Sequence, residues 1–163
     1  MMEKTLVLIK PDGVQRALTG RIIQRFEDAG LKIIGMRMVQ VTPDLAEKHY
    51  TEDITVRRGK HVRDMLLGYV QEGPVLAIAL EGIHAIELVR KLVGPTEPKS
   101  AAPGTIRGDF SHHSYIYCDE KKIPIKNLIH ASGDKADAER EVALWFGPKD
   151  LMTYQTVHEK HTF

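Results

Sequence analysis

Charged side chains that stand where apolar ones are expected are the first sign of chemistry in this chain. His130 lies in NLIHASGD (Asn127 to Asp134), an apolar run with the character of a strand, where a histidine is ordinarily a satisfied core or interface residue. In DKADAEREVALWFG, read as a helix, Ala138, Val142, Leu144 and Trp145 define an apolar arc, and Glu141 falls on it. An unpartnered buried carboxylate costs several kcal/mol, so Glu141 needs a polar partner inside, in a structural salt bridge or a functional contact. Arg90 flanks the arc of Ile86, Val89 and Val93, either snorkelling to solvent or leaning over a site. Lys10 ends an apolar run just before Pro11-Asp12-Gly13, and strand ends are places where sites are built. Thr96 and Arg107 belong to GPTEPKSAAPGTIRG, where Gly104 and Gly108 bracket the arginine and permit close backbone approach. Arginine clamps phosphate through two parallel hydrogen bonds, and lysine acts as a point charge. The sequence has neither GxxxxGK followed by Ser or Thr nor GxGxxG. A bound nucleotide would therefore have its phosphates held by side chains, and the chain offers Lys10, Arg90, Thr96 and Arg107.

The elements that must position these residues follow from hydrophobic period and punctuation. KTLVLIK (Lys4 to Lys10) reads as a strand ended by a Pro-Asp-Gly turn. Thr19-Gly20 opens a helix whose Ile22, Ile23, Phe26 and Ala29 keep helical spacing and which Gly30 closes. LKIIGMRMVQV is a second strand, PDLAEKHY a short helix with proline in its first turn, and HVRDMLLGYV a further helix. VLAIAL has the continuous apolar character of a buried strand, and HAIELVRKLV that of an amphipathic helix. NLIHAS supplies the fourth strand and DKADAEREVALWFG the last helix. This order predicts an α+β domain over 1–163, a ferredoxin-like split β-α-β sandwich with a four-stranded antiparallel sheet and added helices. A doubly wound parallel sheet is the competing topology. The segment 94–108 is a long loop of the kind that is usually functional or disordered.

Bulk properties narrow the function classes. A chain of 163 residues has the length of one domain and can bury about two-thirds of its unfolded surface. Lys and Arg number 23 against 22 Asp and Glu, so no global field draws the protein to nucleic acid or membrane. The single cysteine, Cys118, excludes an internal disulfide and suits a reducing compartment. The N-terminal apolar run is too short for a signal or spanning segment, so a cytoplasmic protein is expected.

VLIKPDGVQR, the pair His49-Tyr50, GPVLAIALEG, the Gly-x-Thr-x-Pro of Gly94 to Pro98, APGTIRGDF, NLIHAS and EREVALWF together resemble the nucleoside diphosphate kinases, in the order found there and over nearly the whole chain. The resemblance makes His130 the nucleophile that carries the phosphoryl group in a ping-pong reaction between nucleoside tri- and diphosphates. Imidazole suits the task, being a competent nucleophile near pH 7 whose phosphorylated form is reactive enough to pass the group on. Glu141 matches the glutamate that fixes the tautomer of the nucleophile, and Ser132 the serine beside both. Arg90, Thr96 and Arg107 match phosphate-binding residues. Lys10 matches the lysine that reaches the transferred phosphate and the ribose, Tyr50 the tyrosine packed beside that lysine, and Asn127 the asparagine on the sugar 3′-hydroxyl. Magnesium carried mainly by the nucleotide's phosphates is implied, with no dedicated protein ligand. So is a homo-oligomer, a hexamer or a tetramer.

Three features depart from the family pattern. Where the family stacks a phenylalanine on the base, this chain has Val62 beside His61, in a segment longer than usual. The stretch Ser111 to Lys126 is an insertion of unassigned role, and the usual HxSDS run reads HASGD. There is also an internal tension: in a regular strand Asn127 and His130 face opposite ways. Pairing that begins after Asn127, or a bulge, would resolve it. The alternative function is a non-catalytic ferredoxin-like module binding nucleotide or RNA, with Tyr115 and Tyr117 on one strand face as its best support. A zinc site from His112, His113 and Cys118 lacks a standard spacing, and a solvated loop is the expected state of that segment.

Overall fold

The computed structural model describes residues 1–161. In chain order the strands and α-helices are β1 (Met2–Ile9), α1 (Pro11–Gln15), α2 (Thr19–Asp28), β2 (Lys32–Gln40), α3 (Pro43–His49), α4 (Asp53–Arg58), α5 (Lys60–Val70), β3 (Pro74–Ile83), α6 (Ala85–Val93), α7 (Ile106–Phe110), α8 (Tyr115–Lys121), β4 (Ile129–Ala131), α9 (Lys135–Trp145) and α10 (Val157–His161). The sheet order is β2-β3-β1-β4, and every neighbouring pair is antiparallel. That is the ferredoxin-like arrangement, and it excludes the parallel alternative.

Period-two alternation along β1 divides the interior. Val7 and Ile9 point to the face covered by α2 and α6, where Ile22, Phe26, Val89 and Val93 meet Ile78 and Leu80 of β3. Leu6 and Leu8 point to the other face, covered by α3, α5 and α9, with Ala46, Val70, Val142 and Trp145. On that second face β3 presents Val75, Ala77 and Ala79, while α9 packs against β1.

The short elements are where the sequence reading needs correction. Pro11-Asp12-Gly13 is not a plain turn but the start of α1, with proline at its first position, where its missing N–H is no loss. In RRGKH, Arg57 and Arg58 close α4, Gly59 breaks the chain at φ 91°, and Lys60 begins α5. The long loop is ordered by a 3-10 turn at Pro98–Ser100 and by α7. The insertion folds as a helix, α8, capped by the Ser114 hydroxyl on the Tyr117 N–H. Tyr115 and Tyr117 therefore sit on a helix and share no strand face, which removes the main support for an RNA-binding sheet. The HASGD run leaves Asp134 as the N-cap of α9, its carboxylate accepting from Asp137 N–H at 2.9 Å.

Gly94 ends α6 at φ 84°, and a Cβ there would collide with the Thr105 side chain that caps α7. Gly94→Ala is expected to cost about 1–3 kcal/mol. A thermal melt should show Tm lowered by several degrees.

Candidate active site

In β4, His130 is the register partner of Leu8, so its ring lies on the α9 face of the sheet. There it meets Glu141, 3 % exposed on the inner side of α9. His130 Nε2 lies 2.8 Å from Glu141 Oε2, and the Ser132 hydroxyl donates to the same oxygen at 2.7 Å. A carboxylate only accepts, so Nε2 carries the ring proton and Nδ1 is left with its lone pair. Ser132 is itself held by the Leu6 N–H at 3.2 Å, and Arg140 donates to the second Glu141 oxygen at 3.4 Å. The interior partner that the position of Glu141 called for is thus the histidine.

The chain enters β4 through a γ-turn: Ile129 N–H bonds back to Asn127 C=O at 2.8 Å, with Leu128 between them at φ 70°. Strand pairing begins after Asn127, which resolves the tension over facing. The Asn127 side chain accepts from Lys10 Nζ at 2.8 Å and donates to the Thr96 carbonyl at 2.9 Å. Asp12, which the sequence reading did not single out, fixes the turn by accepting from Leu128 N–H at 3.1 Å.

Lys10 is 4 % exposed. Burial above all, then the nearby Arg107 charge, pushes its ammonium down from the ordinary 10.5 to about 7, against the opposing pull of Asp12. The aromatic ring beneath it belongs to Tyr69, 5.2 Å from Nζ, whereas Tyr50 pairs edge to face with His49 at 4.6 Å. Tyr50 lines the same cleft, its hydroxyl buried without a partner among the described residues, and burial raises its pKa. Arg107 is held by neutral carbonyls: Asn127 at 3.2 Å, Gly94 at 2.9 Å and Ile129 at 2.6 Å. Burial lowers it from 12.5 to about 10, still protonated at neutral pH.

One cavity of about 800 Å³ gathers Lys10, Tyr50 and Arg90 with Thr96, Arg107, Asn127 and His130. Glu141 and Ser132 stand behind His130 and do not line it. Val62 faces the cavity with Met65 and Leu66 of α5, whereas His61 is exposed and absent from its wall. Tyr115, Cys118 and Asp119 of the insertion, with Ile123 to Ile125, also line it, which sequence alone did not indicate. Arg58 and Lys91 add to its cations, and Asp119 is the only carboxylate on its wall among the described residues. Of the residues weighed as a zinc site, His113 Nδ1 accepts the Lys126 N–H at 3.2 Å, and Cys118 Sγ contacts the same nitrogen at 3.6 Å.

A sequence profile described as nucleoside diphosphate kinase matches residues 3–151. The nucleoside diphosphate kinase of Borreliella burgdorferi is 47% identical over 156 residues, covering 95% of this chain and 93% of that protein. That of Pyrococcus horikoshii is 50% identical over 152 residues, covering 93% and 90%. The chain belongs to the nucleoside diphosphate kinase family. Its fold superposes with TM-score 0.95 on a transition-state mimic of the Borrelia burgdorferi kinase with bound vanadate and ADP, at 46% identity over 97% of this chain and 95% of that one. A Halobacterium salinarum kinase in complex with CDP gives 0.84 at 36% identity, covering 100% and 99%. The activity is accordingly transfer of the γ-phosphoryl group from a nucleoside triphosphate to a nucleoside diphosphate by the family's ping-pong mechanism.

For a kinase of this family the buried lysine is a liability to the fold. Between pH 7 and 10.5 the unfolded chain binds a proton at Lys10 that the folded chain lacks, so this contribution to stability rises with pH across that window. Below pH 7 the full penalty applies. Lys10→Met is expected to stabilise the fold at pH 7 by about 1–4 kcal/mol. It should also flatten the rise in urea midpoint between pH 7 and 10 and lower phosphoryl transfer on the order of a hundredfold. Urea titrations at several pH values and a coupled nucleotide assay read these outcomes.

Proposed function

We propose that His130 carries the phosphoryl group. The observation behind this reading is the buried carboxylate of Glu141 on Nε2, which leaves Nδ1 as the nucleophile at the cleft wall. In the first half-reaction the Nδ1 lone pair forms the N–P bond as the bond from the γ-phosphorus to its bridging oxygen breaks, and the electron pair leaves with the nucleoside diphosphate. The proton on Nε2 stays on the ring, and Glu141 offsets the positive charge that develops there. In the second half-reaction a terminal oxygen of a different nucleoside diphosphate attacks the phosphorus, and the N–P bond returns its pair to Nδ1. Lys10, Arg90 and Arg107, with Thr96, would hold the phosphates and stabilise charge on the transferring group, while Asn127 and Lys10 reach the sugar. The apolar wall residues Val62, Met65 and Leu66 on α5 and Ile123 to Ile125 after α8 suit the base, in place of a stacking phenylalanine.

Five cationic side chains and a single carboxylate on the cleft wall suit a magnesium ion held by the nucleotide's own phosphates rather than by a protein cage. When bound, it would neutralise phosphate charge. We read residues 1–163 as one such domain, acting in the cytoplasm; no helix among the described residues is long and apolar enough to cross a membrane.

The test is incubation with γ-labelled ATP and magnesium without acceptor. Wild type should take up an acid-labile, base-stable label and release it to GDP as GTP, and His130→Ala should take up none. Nucleotide binding without label on wild type would overturn the reading. Assembly is a separate matter: β2 is an edge strand with Met36 and Met38 54% and 60% exposed, the surface that a second copy would cover. Sedimentation should give a homo-oligomer, a hexamer or tetramer, and a smaller species for Met38→Glu.

A further inference from the structure

The mechanism above leaves one buried titratable group at the nucleophile unused. His49, at the C-terminal end of α3, is 3 % exposed, and its ring meets that of His130 edge to face, with centroids 4.5 Å apart and planes at 84°. Its Nδ1 accepts the Trp145 indole N–H at 3.2 Å. Indole only donates, so His49 carries its proton on Nε2, and that nitrogen is buried with no partner among the described residues. Glu141 Oε1 is 3.9 Å from His49 Nδ1, but with a lone pair on that nitrogen no hydrogen bond forms between them. Burial foremost, then the charges at His130, Arg140 and Lys10, holds the imidazolium form of His49 well below the usual range.

These contacts define a chain of contacts running from Trp145 on α9 through His49 to His130, while Glu141, on the same helix, grips His130 from Nε2. We infer that His49 is a positioning residue for phosphoryl transfer: its neutral ring, locked in one tautomer by Trp145, buttresses the ring of His130 so that Nδ1 and not Nε2 faces the cleft. Glu141 alone fixes one nitrogen but leaves the ring free to tilt about that hydrogen bond. An edge-to-face ring contact at 4.5 Å removes the freedom. A cationic His49 would instead compete with His130 for Glu141 and oppose the positive charge that develops on the nucleophile. The unsatisfied Nε2–H fits this account, since a buried donor without a partner is retained against a stability cost only where something else requires the ring. The inference rests on His130 being the carrier.

The experiment compares wild type with His49→Leu, which fills the volume without a planar ring, and His49→Phe, which restores the ring without its nitrogens. Single-turnover labelling by ATP gives the rate, fluorescent-nucleotide titration gives the affinity, and phosphorus NMR of the labelled protein distinguishes phosphorylation at Nδ1 from that at Nε2. His49→Leu should slow labelling on the order of a hundredfold, the usual consequence of a misplaced reacting atom. It should leave nucleotide affinity within about twofold, judged against the tenfold that 1.4 kcal/mol represents. A fraction of its label should appear on Nε2. His49→Phe should recover most of the rate and label only Nδ1. Equal labelling rates for wild type and His49→Leu with Nδ1 alone phosphorylated, or a His49→Phe no better than His49→Leu, would overturn the positioning role. An unlabelled wild type would instead remove the carrier reading itself, so the two failures are distinct.

Discussion

The carboxylate of Glu141 is 3 % exposed, and a carboxylate so placed is tolerable only because donors converge on it. His130 and Ser132 share one oxygen, and Arg140 reaches the other. The donors come from β4 for the histidine, from the residue just after it for the serine, and from α9 itself for the arginine. Ser132 also takes the Leu6 N–H, so the carboxylate is tied to β1 as well. Docking of α9 on the sheet and choice of the histidine tautomer are therefore one constraint. Around that contact α9 buries Val142 and Trp145 in the second core with Leu6 and Leu8 of β1, so the apolar packing and the polar contact hold the same helix on the same strand.

The second constraint is backbone. A leucine at φ 70° is a strained position, worth about 1–3 kcal/mol against the fold. Leu128 keeps it because its side chain is fully buried, its N–H is taken by Asp12, and its carbonyl accepts the Lys10 N–H at 2.8 Å. The result is a kink immediately before β4. It frees Asn127 from strand alternation, so that Asn127 and His130 border one cleft although they stand three positions apart.

How much of this could be read beforehand follows from what each feature writes into the sequence. β1, β3, α2, α6 and α9 were legible because they bury a stripe or alternate face long enough to show a period. The helices α1, α4, α7 and α8 span five to seven residues each, too few to show a period. Glu141 was visible as a charge on an apolar arc, yet nothing local names its partner, which lies across a helix-sheet interface. Leu128 gave no warning because leucine carries no preference for positive φ; glycine or asparagine there would have signalled the turn. The missing phenylalanine was visible, but that α8 and Ile123 to Ile125 line the same cavity depends on a tertiary placement of the insertion. His49 shares a helix face with Ala46, a spacing that marks it as buried but not as the neighbour of His130.

The cleft combines two electrostatic regimes that would cancel if they touched. On its wall, Lys10 has a pKa brought down to about 7, and Arg107 is solvated by three carbonyls and no carboxylate, so neither cation is neutralised by the protein. Behind His130 lies the one deeply buried carboxylate of the site, already committed to the imidazole, a serine and an arginine. Had Glu141 opened into the cavity, it would have paired with Lys10 or Arg107 and consumed the field that a polyphosphate must meet. The imidazole is the partition between the two. It presents a lone pair to the cavity and its proton to the buried carboxylate; with His130 as the proposed carrier, charge moving onto the ring would be met from behind and charge on the phosphate from the front. A fold that buries Glu141 and holds Lys10 with a pKa near 7 sacrifices stability at both ends, and under the proposed role of His130 the two sacrifices would have their common use at its Nδ1.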